Sequence, residues 1–195
     1  MKFIATIPLI FSLATFAVSA DPEKSSTDQT APAKKAMSAT WPDVEYAELR
    51  GYLYFPGGKW IQSWEGREPI LKEGKLHPNV VNPEGAKLSP AQAERLLKSV
   101  RPCTASVKGD ACFLPHHGFV FHDKAGKPVA ALSICFLCEL GHAHPGEIIA
   151  SSWEFEELET LITELGLPVF KDIDEAEAYY EKEVKGKANA KPAAK

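Results

Sequence analysis

The chain has 195 residues, 45% of them hydrophobic, and carries 22 Lys and Arg against 26 Asp and Glu, a net charge of −4 with histidine neutral. So mild an acidity, with no clustered basic footprint, argues against a nucleic-acid partner. The length allows one compact domain once the two ends are set aside.

Residues 1–20, MKFIATIPLIFSLATFAVSA, have the layout of a cleavable secretory signal peptide. Lys2 is the charged start, Ile4 to Val18 is the apolar core, and Val18-Ser19-Ala20 offers small residues for cleavage near Ala20. No cysteine stands at that point, so no lipid anchor is expected there, and no later segment is apolar for long enough to span a bilayer. The expected location is the periplasm or the cell exterior, with a cell-envelope partner. Residues 21–40 hold only Met37 as a large apolar side chain and read as a flexible leader. Residues 185–195 read as a flexible basic tail. Between them, 41–184 is expected to be a single α+β domain.

Within it, Val44 to Phe55 is rich in β-branched and aromatic residues and ends at Pro56-Gly57-Gly58, which predicts a strand running into a turn. Lys59 to Gly66 fits no one element. Glu73 to Leu88, with two prolines and two glycines, reads as loop. Ser89-Pro90-Ala91-Gln92 predicts a helix start: Ser89 caps, Pro90 suits the first helical position, and Gln92 completes a capping box. That helix buries Leu96, Leu97 and Val100 and ends near Arg101-Pro102. A central hairpin, about 117–136, pairs Gly118–His122 with Pro128–Phe136 around Asp123-Lys124-Ala125-Gly126. Ser151 to Glu154 reads as a second capping box. It precedes Phe155, Leu158, Leu161, Ile162 and Leu165 at helical spacing, with Gly166 and Pro168 to stop the helix. A third helix starts near Asp172 and carries Ala176, Tyr179, Tyr180 and Val184. Strands and helices without a βαβ rhythm predict an antiparallel sheet with three or so packed helices.

Three of the four cysteines and five of the six histidines fall between Cys112 and Glu147. With 124–126 as the hairpin loop, His117 pairs with Ser133 and becomes a diagonal neighbour of Cys135. A slip of one residue would bring His116 there instead. Cys112, His117, Cys135 and Cys138 together supply four ligands of the type that zinc takes, and thiolate with imidazole, His142 and His144 included, also suits copper. An even cysteine count in a secreted chain equally fits disulfides, either Cys103–Cys112 with Cys135–Cys138 or a bridge from Cys112 to one of that pair. Thiol–disulfide exchange through Cys135 and Cys138 is a further reading. Against it, no long helix can start after Cys138 to stabilise a thiolate, and Glu139 has the wrong charge. A cysteine nucleophile with a histidine base lacks a readable orienting group and oxyanion hole. His77 and His122 read as ordinary polar positions. Trp41, Trp60, Trp64, Trp153, Tyr46, Tyr52 and Tyr54 read first as core, and second as an aromatic groove for a peptide or sugar.

The stretch from Pro115 to Cys138, with Cys112 before it, resembles a group of bacterial secreted proteins and lipoproteins. Their shared core runs from a cysteine through a His-rich turn and a Gly-Phe-Val-Phe strand to Cys-Phe-x-Cys; Cys112, His116, His117, Cys135, Phe136 and Cys138 match it. The segment from Glu84 to Leu97 is also similar. The resemblance implies that Cys112 belongs with Cys135 and Cys138, that Cys103 is an addition, and nothing about activity. The expectation is a non-catalytic domain whose Cys/His cluster is a disulfide staple or a metal site, with a redox protein or an aromatic-groove binding module as alternatives.

Overall fold

The computed structural model describes Ser38 and residues 40–56, 68–101 and 113–185. The expected signal peptide, most of the leader and of the tail, Trp60, Trp64, Cys103 and Cys112 lie outside these residues.

The chain is α+β, as expected. In order it forms β1 (Glu48–Leu53), β2 (Leu71–Lys72), β3 (Lys75–Leu76), β4 (Ala86–Lys87), α1 (Pro90–Val100), β5 (His117–His122), β6 (Pro128–Cys135), β7 (Leu140–His144), β8 (Ile148–Ala150), α2 (Phe155–Glu164) and α3 (Ile173–Tyr179). A π-helical turn, Tyr180–Lys185, follows α3. Six strands make an antiparallel sheet in the order β4-β1-β5-β6-β7-β8; β2 and β3 pair separately.

Local chemistry explains most element ends. Ser89 caps α1 by accepting from Gln92 N–H, and the Gln92 side chain accepts from Ser89 N–H. Asp172 caps α3 by accepting from Glu175 N–H. Gly166 ends α2 in the left-handed region at φ 74°, where a Cβ would be strained. The capping box expected at Ser151 does not form. The N-cap of α2 is Glu154, which makes no side-chain cap bond. The loop expected over 73–88 holds β3 and β4, and β7 and β8 occupy a region for which the sequence predicts no strand.

The central hairpin also departs from simple pairing. Asp123 N–H donates to Lys127 O at 2.9 Å, as the turn predicts, and Asp123 Oδ1 accepts from Ala125 and Lys127 N–H. His122 then pairs with Pro128, but Phe121 pairs with Ala130, so Val129 is an extra residue. Pro128 has no N–H for the ladder, and a bulge absorbs the discontinuity. Every pair beyond it moves by one: His117 stands opposite Ile134, not Ser133.

The sheet is covered on both faces. On one, Leu49, Phe119, Phe121, Leu132 and Ile134 pack with Leu96 and Val100 of α1 and Leu158, Leu161 and Ile162 of α2. On the other, Tyr52, Tyr54, Val120 and Ala131 pack with Ile70 and Leu71. A third cluster joins Leu53 and Phe55 to Phe170 and Ala176. Burying side chains of this size stabilises the fold by about 1.5–3 kcal/mol each.

Candidate functional site

Cys135 ends β6, and its side chain leaves the sheet on the face away from α1 and α2. There it packs with Phe113 and Leu140, and with the half-buried Leu137, Cys138 and Ile149. A tight turn, Phe136 to Glu139, brings Cys138 back over it, with Glu139 N–H donating to Phe136 O and Glu139 at φ 48°. The two Sγ atoms are 2.8 Å apart. Cys135 is 1% exposed, while Cys138 is half-buried.

The Cys135 thiol is pulled down to about 7. Its hydrogen bond with Cys138 is the chief cause; burial opposes it, and backbone N–H groups of Leu114, Cys138 and Leu137 add to it. Those N–H groups do here what a helix N-terminus does elsewhere: they favour negative charge on sulfur.

The histidines divide between the faces. Because His117 stands opposite Ile134, its ring shares the helix-side face. There His117 Nε2 bonds Pro168 O at 2.7 Å, and the ring packs on Phe136 and Phe170. The expected proximity of His117 to Cys135 is therefore not met; the bulge turns the ring away. His116, the residue that a slip of one would bring there, packs its ring between Phe55 and Phe170. Burial pushes His117 down to about 3 and His116 to about 4, so both are neutral at pH 7. His122 is buried too, not a surface group: its Nδ1 bonds Gly126 O and its Nε2 bonds Tyr52 Oη. His77 is buried beside Tyr54, with Nδ1 accepting from Asn79 N–H.

The histidine on the cysteine face is His142. It pairs with Ser133 while Leu140 pairs with Cys135, so His142 is one diagonal step from Cys135. Its Nε2 lies 2.8 Å from Glu147 Oε2, and His144 Nδ1 lies 2.7 Å from Glu147 Oε1. Burial holds His142 below its ordinary value against the pull of Glu147. Burial would raise Glu147, but the bonds from His144 and His142 outweigh it and its carboxyl sits low. Trp41 braces this turn by donating its Nε1–H to Pro145 O at 3.0 Å.

Of the expected ligand set, Cys135 and Cys138 meet, His117 stands apart, and Cys112 lies outside the described residues. Among the described residues no group of three or more His, Cys, Asp or Glu side chains is arranged to hold a metal ion. Trp41, Tyr52, Tyr54 and Trp153 are buried in the core and Tyr46 is exposed; Trp41 and Tyr52 each reach the wall of an open surface depression, and Trp60 and Trp64 lie outside the described residues. Sequence reasoning missed Glu147 and Phe113. The His-x-His-x-x-Glu spacing was a signal for the first; only the fold brings in the second. No helix among the described residues is long and apolar enough to cross a membrane. Compared with family models, curated proteins and solved structures, the chain matches none.

Proposed function

We propose that the chain is an extracytoplasmic thiol–disulfide redox protein in which Cys135 and Cys138 cycle between dithiol and disulfide. One observation carries this reading: the turn from Phe136 to Glu139 folds Cys138 onto Cys135, whose thiol is pulled down by that contact and by the backbone N–H groups of Leu114, Cys138 and Leu137. The absence of a helix N-terminus after Cys138, which counts against redox chemistry in the sequence, is answered by the backbone N–H groups of the turn. The signal-like leader supports an oxidising compartment, where such a pair meets disulfide-bearing partners of the cell envelope.

The test is a redox titration of purified protein in glutathione buffers, with site-resolved alkylation of Cys135 and Cys138. The expected result is a reversible disulfide between them with a midpoint inside the glutathione range. A pair that stays oxidised throughout would be a structural staple. A pair that stays protected and retains zinc or copper in a native mass spectrum would be a metal site. Either outcome would overturn the redox reading.

A further inference from the structure

We propose that His142, oriented by Glu147, is the acid–base partner of the Cys135–Cys138 pair. The inference rests on the redox reading above and names the group that handles its protons.

Three observations converge on it. First, the register Ser133–His142 and Cys135–Leu140 sets Cys135 and His142 on one face as diagonal neighbours. Such neighbours are about 7–8 Å apart at the backbone, within reach of long side chains. Second, Phe113 joins them: it packs in the cluster of Cys135 and Leu140, and its ring centre lies 6.5 Å from that of His142. Both groups therefore border the Phe113 ring. Third, His142 is held in one tautomer. Its Nε2–H donates to the Glu147 carboxylate at 2.8 Å, which leaves the Nδ1 lone pair as acceptor. Nδ1 has no hydrogen-bond partner among the described residues. A base oriented by a carboxylate one diagonal step from a thiol can exchange a proton with it through one bridging water.

Among the described residues the groups around His142 are few. Ser133 and Cys135 face it from β6, His144 lies two residues on in β7, and Glu147 comes from the turn before β8. Ile149, its pair on β8, and Phe113 are apolar. Glu147 is thus the charge that favours the imidazolium, and burial opposes it.

The exchange balances as follows. Cys138, the less buried thiol, loses its proton to solvent, and its thiolate attacks a disulfide on a partner protein or in oxidised glutathione. The first partner sulfur leaves and is protonated by solvent. Cys135 then gives its proton to His142 Nδ1 through a bridging water, and its thiolate attacks Cys138 Sγ. The mixed disulfide breaks, and the second partner sulfur takes the proton back from the imidazolium. Two electrons pass from the cysteine pair to the partner disulfide, and two protons follow them.

The experiment measures disulfide formation between Cys135 and Cys138 by oxidised glutathione from pH 5 to 9, in the full chain, for wild type, His142→Gln and Glu147→Gln. Thermal melts check that each variant folds. The expected result is that His142→Gln slows the reaction at pH 7 by about tenfold or more and removes one inflection from the pH–rate profile. Glu147→Gln keeps an acceptor for Nε2–H but loses the charge, and shifts that inflection to lower pH. A folded His142→Gln protein whose profile overlies that of wild type would overturn the inference while the redox reading stands. Failure of wild type to form the disulfide at all would overturn both.

Discussion

His117 and Cys135 leave the sheet on opposite faces, although both lie at the same end of the central hairpin. His117 shares its face with Ile134, its cross-strand partner, and its Nε2 is taken by Pro168 O. Cys135, one residue past Ile134, points to the other side and packs with Phe113 and Leu140. The two groups therefore serve different ends: His117 belongs to the packing of α2 and the segment after it, and Cys135 to the thiol pair. His117→Phe should leave the alkylation rate of Cys135 and Cys138 unchanged while lowering the denaturation midpoint through the lost bond to Pro168 O, by about 1 kcal/mol. A change in thiol reactivity without a change in stability would contradict this division.

Acid should weaken the fold before the carboxylates protonate. His116 and His117 are buried and neutral, with values near 4 and 3 against 6.5 for a fully solvated imidazole. A depressed folded value means that the unfolded chain binds the proton first. The stabilisation is therefore complete above pH 6.5 and is lost as the pH falls from there toward 4 and 3. Well below the solvated value each histidine contributes a slope of about 1.4 kcal/mol per pH unit. Urea melts at pH 7.5, 6 and 5 should show a falling midpoint, and His116→Gln should flatten part of the slope. An unchanged midpoint between pH 7.5 and 5 would refute it.

Gly141 is required by the ring above it. A Cβ built at Gly141 would sit 1.8 Å from Cζ3 of Trp153, against a ring that is 4% exposed and cannot retreat. Gly141→Ala should cost about 1–3 kcal/mol or more, read by chemical denaturation, and should disturb β7, which carries His142. The Nε1–H of Trp153 is buried without a partner among the described residues, so Trp153→Phe removes an unsatisfied donor. Its cost should be smaller than the lost ring area alone implies.

How legible these features were depended on whether their cause was local. The α1 cap is local: Ser89, Pro90 and Gln92 specify it within four residues, and the structure holds the same three in the same roles. Ser89→Ala should accordingly destabilise the protein by about 0.5–2 kcal/mol in a urea melt. At α2 the same pattern failed. The chain reaches Trp153 and Glu154 through tertiary packing, with Glu154 N–H donating to Ser99 O, and the serines are left outside. The hairpin turn was legible from Asp123 and Gly126, but the bulge was not. It follows from the missing N–H of Pro128, and its consequence falls at the far end of β5, at His117. β7 was hidden because Leu-Gly-His-Ala-His reads as a polar loop; its strand character comes from lying between β6 and β8. The cysteine pair was visible as a pair, but the histidine that shares its face was not: the sequence weighed His117 against His116, and the register places His142 there.

The last prediction separates the two thiols. The bond from Cys138 is the chief cause that lowers Cys135, and burial is the chief cause that opposes it. Cys138→Ala removes the first and keeps the second, so the Cys135 thiol should rise from about 7 to its ordinary value or above. The thiolate fraction at pH 7 then falls by about tenfold or more, and alkylation of Cys135 by iodoacetamide should slow in proportion. Cys135→Ala acts differently. The remaining Cys138 is less buried and should be alkylated faster than the Cys135 of Cys138→Ala. The pH–rate curve of Cys138→Ala should therefore shift to higher pH than that of wild type. Equal rates in wild type and Cys138→Ala would mean that the backbone donors alone set the thiolate, and that the second sulfur serves only to close the disulfide.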